Sequence, residues 1–395
     1  LAPSTDVSAG TSDIAYFGYN TGSGGTVNVG GSITIGGLVF APTLGANATG
    51  GYTLSASSAQ TLTVGSSGIS LNAGGLATTV GSANLSLTLG AAQSWINNSS
   101  NSLTIAGAIT NGTNLLTLQA QGAGNIIVAG NITGTGSGGL TINSTGAGRV
   151  ILSGTNTQTG TTTLTAGNLR AITTSALGTG ALQLNGGVLQ LIGGQTYGFG
   201  ATTLGAGATA ATDTLWVDNL SAGAAPAAAT IGALTYNNAA TSLTLMAGPL
   251  VTSGTAILST GTVTLANAGN TLNVNNSFFN AAVTTQATLA NVTGAFAFTI
   301  GGTGNTVITG AVTTGSGTIT KNGTGTLTLS GANTTTGALT INGGSVVVSA
   351  GGTLATTQAL TFSTTLRSVT SVPPSTVPTR TFWLPRLAAR LSQAL

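Results

Sequence analysis

Residues 321–354 read KNGTGTLTLSGANTTTGALTINGGSVVVSAGGTL, and their reading decides the fold. Apolar residues come in pairs two apart: Leu327 with Leu329, Leu339 with Ile341, Val346 with Val348. That spacing sets both members of a pair on one face of a strand. Gly, Asn and Thr lie between the pairs and turn the chain. Three short strands followed by a fresh start describe one turn of a coil rather than a hairpin.

The same idea recurs at a fixed offset. Leu116-Thr-Leu118 returns as Leu140-Thr-Ile142, a step of 24 from 116 to 140. Gly122 and Gly124 return as Gly146 and Gly148, Ile126 and Val128 as Val150 and Leu152, and Gly130 as Gly154, all at that step. Further on, Gly302 and Gly304 map to Gly323 and Gly325, and Ile308 maps to Leu329, a step of 21. Apolar faces and corner glycines that share one register are the mark of a solenoid, not of a sandwich. The expected fold is therefore all-β: a parallel β-helix with three short strands in each coil of about 21–24 residues. Each coil would add about 4.8 Å along the axis, and roughly fifteen coils would give a rod on the order of 70 Å.

Composition agrees. Charged residues make up 3% of 395, where a soluble domain carries about 25%. Gly accounts for 63 positions, and Thr, Ser, Ala and Asn fill much of the remainder. Low charge with mean hydropathy +0.42 is not the profile of a disordered chain. No run approaches 18 apolar residues, which excludes a helical membrane span. Cysteine is absent, so burial and hydrogen bonding must supply the stability. No leader with a charged head and an apolar stretch is visible, so the chain reads as mature, processed or a fragment.

The net charge of +3 is concentrated in the tail, where Arg367, Arg380, Arg386 and Arg390 lie. Residues 1–366 hold three cations, Arg149, Arg170 and Lys321, against Asp6, Asp13, Asp213 and Asp218, a net of −1. A nucleic-acid track needs many clustered cations, so no nucleic-acid partner is expected.

Three regions follow. Residues 1–25, with Asp6, Asp13, Tyr16, Phe17 and Tyr19, are expected to cap the first open edge. Residues 26–366 form the coils, degenerate at about 193–297, where Tyr197, Trp216, Pro226 and Pro249 break the rhythm. Residues 367–395 form a basic, Pro-rich tail outside the solenoid, since its prolines do not fit a central ladder.

Chemistry is sparse. With no His, Cys or Glu there is no ready base for a hydroxyl nucleophile. Lys321 is expected at a solvated corner. Asp213 and Asp218 are five apart, so in one extended strand they point to opposite faces. Glycoside hydrolysis needs facing carboxylates, which those two supply only if Trp216 lies in a turn. Asn156 and Asn333 occupy the same corner and are expected to sit in left-handed turns there. No metal, nucleotide or phosphate motif is present, so no cofactor is expected. The best local contact site is Trp216 with its flanking Asp213 and Asp218, because solenoids carry function on irregular loops.

The motif GTGTLTLSGANTTTG at 323–337 with ALTINGGSVVV at 338–348 resembles the autotransporter-associated β-strand repeat. LTLGAAQSWI at 87–96, SLTIAGAI at 102–109 and IGGLVF at 35–40 look like further parts of such arrays. The resemblance implies a right-handed parallel β-helix passenger, exported by a Gram-negative bacterium and held at or released from its outer membrane. It also implies an adhesive or stalk role, and the sparse chemistry of the side chains leads to the expectation that the chain is no enzyme. Glycans or self-association are the expected partners, with membrane contact only through a translocator or anchor that the chain does not show. Two other classes stay open: a polysaccharide-degrading or glycan-binding β-helix, and an ice-binding surface made of matched Thr positions.

Overall fold

The computed structural model describes residues 12–18, 24–41, 50–207, 211–362 and 368–371. Asp6, Tyr19, the tail arginines and nearly all of the Pro-rich tail lie outside the described residues. Strands joined by turns, and no helix, make up the described residues. The chain divides into two compact units, Leu1–Leu182 and Gln183–Leu395.

In the first unit one coil consists of Ile109–Thr110, Leu116–Ala120 and Ile126–Val128. The next consists of Ile132–Thr133, Leu140–Asn143 and Arg149–Leu152. Each strand pairs in parallel with its counterpart one coil on: Ile109 with Ile132, Leu116 with Leu140, Ile126 with Val150. The 24-residue step read from sequence is thus the hydrogen-bonding register of the second and third strands, while the first steps by 23. Residues of one parity, such as Leu116, Leu118, Ile126 and Val128, are fully buried. Their alternates, such as Thr117 and Ile127, face outward. Burying such a side chain contributes about 1.5–3 kcal/mol, and every coil repeats that gain.

Corners must let coils approach to the strand spacing. A Cβ on Gly148 would sit 2.1 Å from the carbonyl oxygen of Gly124 one coil below, so no side chain fits there. Asn156 and Asn333 solve the complementary problem. Neither adopts a left-handed backbone; Ala240, at φ 56°, is the one non-glycine residue with positive φ among the described residues. Instead their side chains run along the axis. Asn156 Oδ1 accepts from Ile132 N at 2.7 Å, and its Nδ2 donates to Ala176 O at 2.5 Å. Asn333 Oδ1 accepts from Val312 N at 2.9 Å, and its Nδ2 donates to Thr353 O at 2.7 Å. Each asparagine completes the backbone bonds of the coils on both sides, in places where the ladder is interrupted. Asn333→Ala strands the buried Val312 N–H, while Thr353 O keeps the bond from Asn333 N at 3.1 Å, and is expected to lower stability by about 2 kcal/mol. Urea unfolding checks this; an unchanged midpoint would show that water replaces the amide.

Near the N-terminus, Ile14–Phe17 is itself a parallel strand, paired with Gly37–Phe40. Phe17 stacks on Phe40 with centroids 4.9 Å apart. Near the other end, Ser368–Ser371 pairs in register with Ser345–Val348.

In the second unit the coils first lengthen and then tighten. Leu243 pairs with Leu272, a step of 29, whereas Ile308 pairs with Leu329, the step of 21 read from the repeat. The lengthening comes from two extended strands, Val251–Leu265 and Val283–Gly294, that pair along most of their length and run through a corner without breaking.

Candidate functional site

The strand Thr212–Asp218 lies between Gly187–Ile192 and Ser242–Ala247. Its alternation fixes what each side chain can reach. Asp213, Leu215 and Val217 point inward; Thr214, Trp216 and Asp218 share the outer side. The opposite-face expectation for the two aspartates therefore holds, and Trp216 lies in a strand rather than a turn. The carboxylates cannot flank one sugar bond.

Asp213 is 1% exposed. Its Oδ1 accepts from Gly186 N at 2.7 Å, while its Oδ2 is buried with no hydrogen-bond partner. Burial pushes its carboxyl up to about 6, against the pull of the Gly186 bond. The buried Tyr236 hydroxyl is pushed upward too, first by burial and then by the Asp213 charge.

Asp218 is buried for a different reason: corners from neighbouring coils roof it over. Gln190 Nε2 donates to its Oδ2, and Leu250 N donates to its Oδ1 at 2.8 Å. Asn219 Nδ2 ties the roof by donating to Gly223 O at 3.1 Å and Ala224 O at 2.9 Å. One coil further, Asn280 Nδ2 donates to Thr252 O at 2.8 Å. Asp218 is thus an anchor for the loops and is not open to a ligand.

Trp216 is the member of the expected trio that meets the surface. Phe279 packs edge-on against it, with centroids 5.3 Å apart at 82°. Phe278 follows at 6.0 Å from Phe279 and is 87% exposed, with Phe279 at 46%. The Trp216 indole Nε1 is buried and makes no hydrogen bond. Phe278 and Phe279 escaped the sequence reading. Their signal was two adjacent aromatics between Asn276 and Asn280 in a chain that is 4% aromatic, with no alternation to bury either.

Lys321 corrects another expectation. It is 1% exposed, at the inward end of Ile319–Lys321, in register with Ile300 and Ile341. Its Nζ donates to Asn322 O at 2.6 Å and Gly323 O at 3.4 Å, so it serves the corner from inside the coil. In the second unit the charged side chains of the described residues are therefore Asp213, Asp218 and Lys321, and all three are buried. The described outer surface of that unit carries no charge. Among the described residues no cluster of three potential metal ligands occurs, and no helix is long and apolar enough to cross a membrane.

Stacked parallel coils with an inward aliphatic ladder define a parallel β-helix solenoid, here with an exposed aromatic pair at one irregular corner. The passenger-associated-transport-repeat matches residues 145–171 and 319–348, so the chain carries two copies of the repeat found in autotransporter passengers. The repeat implies secretion or a cell-surface position. No curated protein and no solved structure matches the chain.

Proposed function

We propose that the chain is an adhesive passenger, displayed on the Gram-negative outer surface, that holds neutral glycans at the Trp216–Phe279–Phe278 corner and performs no catalysis. The observation that carries this reading is the exposed aromatic pair on an uncharged surface. A pyranose ring presents apolar C–H groups and hydroxyls together. Aromatic faces take the former, and the surrounding Asn and Thr side chains take the latter. Among the described residues of this unit an acidic or basic ligand would find no exposed counter-charge.

The test is binding of the purified chain to immobilised neutral polysaccharides, compared with Phe278→Ala/Phe279→Ala. Stacking on the two rings is worth about 1.5 kcal/mol, so the double variant is expected to bind about tenfold more weakly. Equal binding by both proteins, or no retention of any neutral glycan, rejects the reading. Dimerisation lost through the same two substitutions would assign the corner to a second copy instead.

A further inference from the structure

The second unit carries a column of hydroxyls that neither the fold nor the aromatic corner uses. Ser242 pairs with Thr271, Thr271 with Thr299, Thr299 with Thr320, Thr320 with Thr340, and Thr340 with Thr361. Six successive coils thus present a hydroxyl residue at one register position without a break. Five of the six alternate with buried neighbours and are partly exposed, and Thr361, between half-buried Leu360 and Phe362, is exposed. Packing does not demand threonine at an outward site, since Ile127 and Ile151 stand at such sites in the first unit. Their hydroxyls are not consumed within the protein, in contrast to Thr314 and Thr335, which hydrogen-bond each other at 3.0 Å.

A second polar column runs beside the first, two residues further along each strand. Thr244 pairs with Asn273, and Asn273 with buried Gly301, where the column has a gap of one coil. Asn322 and Asn342 continue it, joined by a 3.0 Å bond from Asn342 Nδ2 to Asn322 Oδ1. Coils repeat at about 4.8 Å, and residues two apart on a strand are separated by about 6.7 Å. The result is a two-dimensional grid of uncharged donors and acceptors, fixed by the backbone ladder and so rigid at no further entropic cost.

A flexible polymer gains little from six identical rungs at fixed spacing; a crystalline partner gains at every rung. The partner must be neutral, because the described surface of this unit has no exposed charge. It must also present hydrogen-bonding groups at a spacing comparable with the grid. The lattice of ice meets both conditions, because each of its waters donates and accepts and its repeats are of the same order as the grid. We propose that the Ser242–Thr361 face orders water into an ice-like layer and binds ice crystals. This is an activity separate from the glycan contact.

The test is thermal hysteresis and inhibition of ice recrystallisation by the purified full chain. The wild-type protein is expected to slow recrystallisation and shape growing crystals. Thr320→Tyr, whose ring would stand out of the middle of the grid, should abolish both effects with the circular dichroism spectrum unchanged. Thr340→Val removes one hydroxyl at nearly constant shape and should weaken them if the tyrosine variant fails to fold. Ile257→Tyr stands outward in the other ladder, where Ile257 pairs with Gln286 and Gln286 with Asn305, and should leave them intact. Absence of activity in the wild-type protein overturns the proposal. So does activity that survives both Thr320→Tyr and Thr340→Val, or that is lost through Ile257→Tyr. Retention on crystalline cellulose with no effect on ice would reassign the grid to a polysaccharide crystal and equally overturn it.

Discussion

Gly325→Ala is expected to lower the unfolding free energy by about 3 kcal/mol or more, although it adds one methyl group to an outer corner. The residue has no unusual backbone angle, so the effect is steric. A Cβ at position 325 would lie 1.7 Å from the carbonyl oxygen of Gly304 and 2.7 Å from its carbon. The same geometry recurs above, where a Cβ on Gly344 would meet Gly325 O at 2.2 Å. Backbone contacts of this kind cannot be relieved by turning a side chain. The coil must lift, and the neighbouring ladder opposes that: Thr306 pairs with Leu327 and Ile308 with Leu329, both leucines buried, two and four residues away. Gly232 is the control, because a Cβ there meets nothing within 4 Å and its backbone is ordinary. Gly232→Ala should be neutral or stabilising by about 0.5 kcal/mol, through the unfolded chain alone. Urea unfolding of both variants, followed by far-ultraviolet circular dichroism, gives the comparison. Similar midpoints for the two would show that corner spacing does not limit the stack.

That contrast also shows what the sequence could and could not reveal. The step from Gly304 to Gly325 was visible because glycine and the apolar pairs recur together, and backbone crowding is what forces that recurrence. Inward and outward assignments followed from parity, which is why Leu116, Ile126 and Leu327 fall where the alternation puts them. Lys321 shows parity prevailing over charge. It stands two positions from inward Ile319, so alternation places it inside, while its ammonium argued for solvent; the corner carbonyls of Asn322 and Gly323 reconcile the two. The long strand Val251–Leu265 was illegible because Gly254 and Gly261 read as corners. In fact Gly261 lies extended within the ladder and donates to Gly232 O at 3.0 Å. The aromatic corner was half legible. Trp216 stood out by rarity, but its partners Phe278 and Phe279 come from a corner more than 60 positions later, and only the stacking of coils brings them together.

Acid should stabilise the second unit between pH 6 and pH 4, against the usual behaviour of carboxylates, and Asp213→Asn should remove the effect. The Asp213 carboxyl sits at about 6 in the folded protein and at 3.8 as its ordinary value. The folded state therefore binds more protons than the unfolded one inside that window. Stability falls as pH rises through it. The penalty is absent below about 3.8 and complete above about 6. Two units of displacement correspond to a penalty on the order of 3 kcal/mol at neutral pH. Its physical source is the unpartnered Oδ2, held away from water beside the core that contains Tyr236. The background is unusually quiet, because the sequence has no His and its acidic side chains are four aspartates. In Asp213→Asn the amide oxygen can still accept from Gly186 N, and no charge forms at any pH. Urea midpoints at pH 4.5 and 7.5 are the measurement. The wild-type midpoint should be higher at pH 4.5, and that of the variant should be the same at both. A wild-type protein that loses stability on acidification would show that the buried carboxylate is compensated at neutral pH. In that case the Oδ2 atom would have a partner in solution, a bound water or cation, and the interior of this coil would be a polar site rather than a strained one.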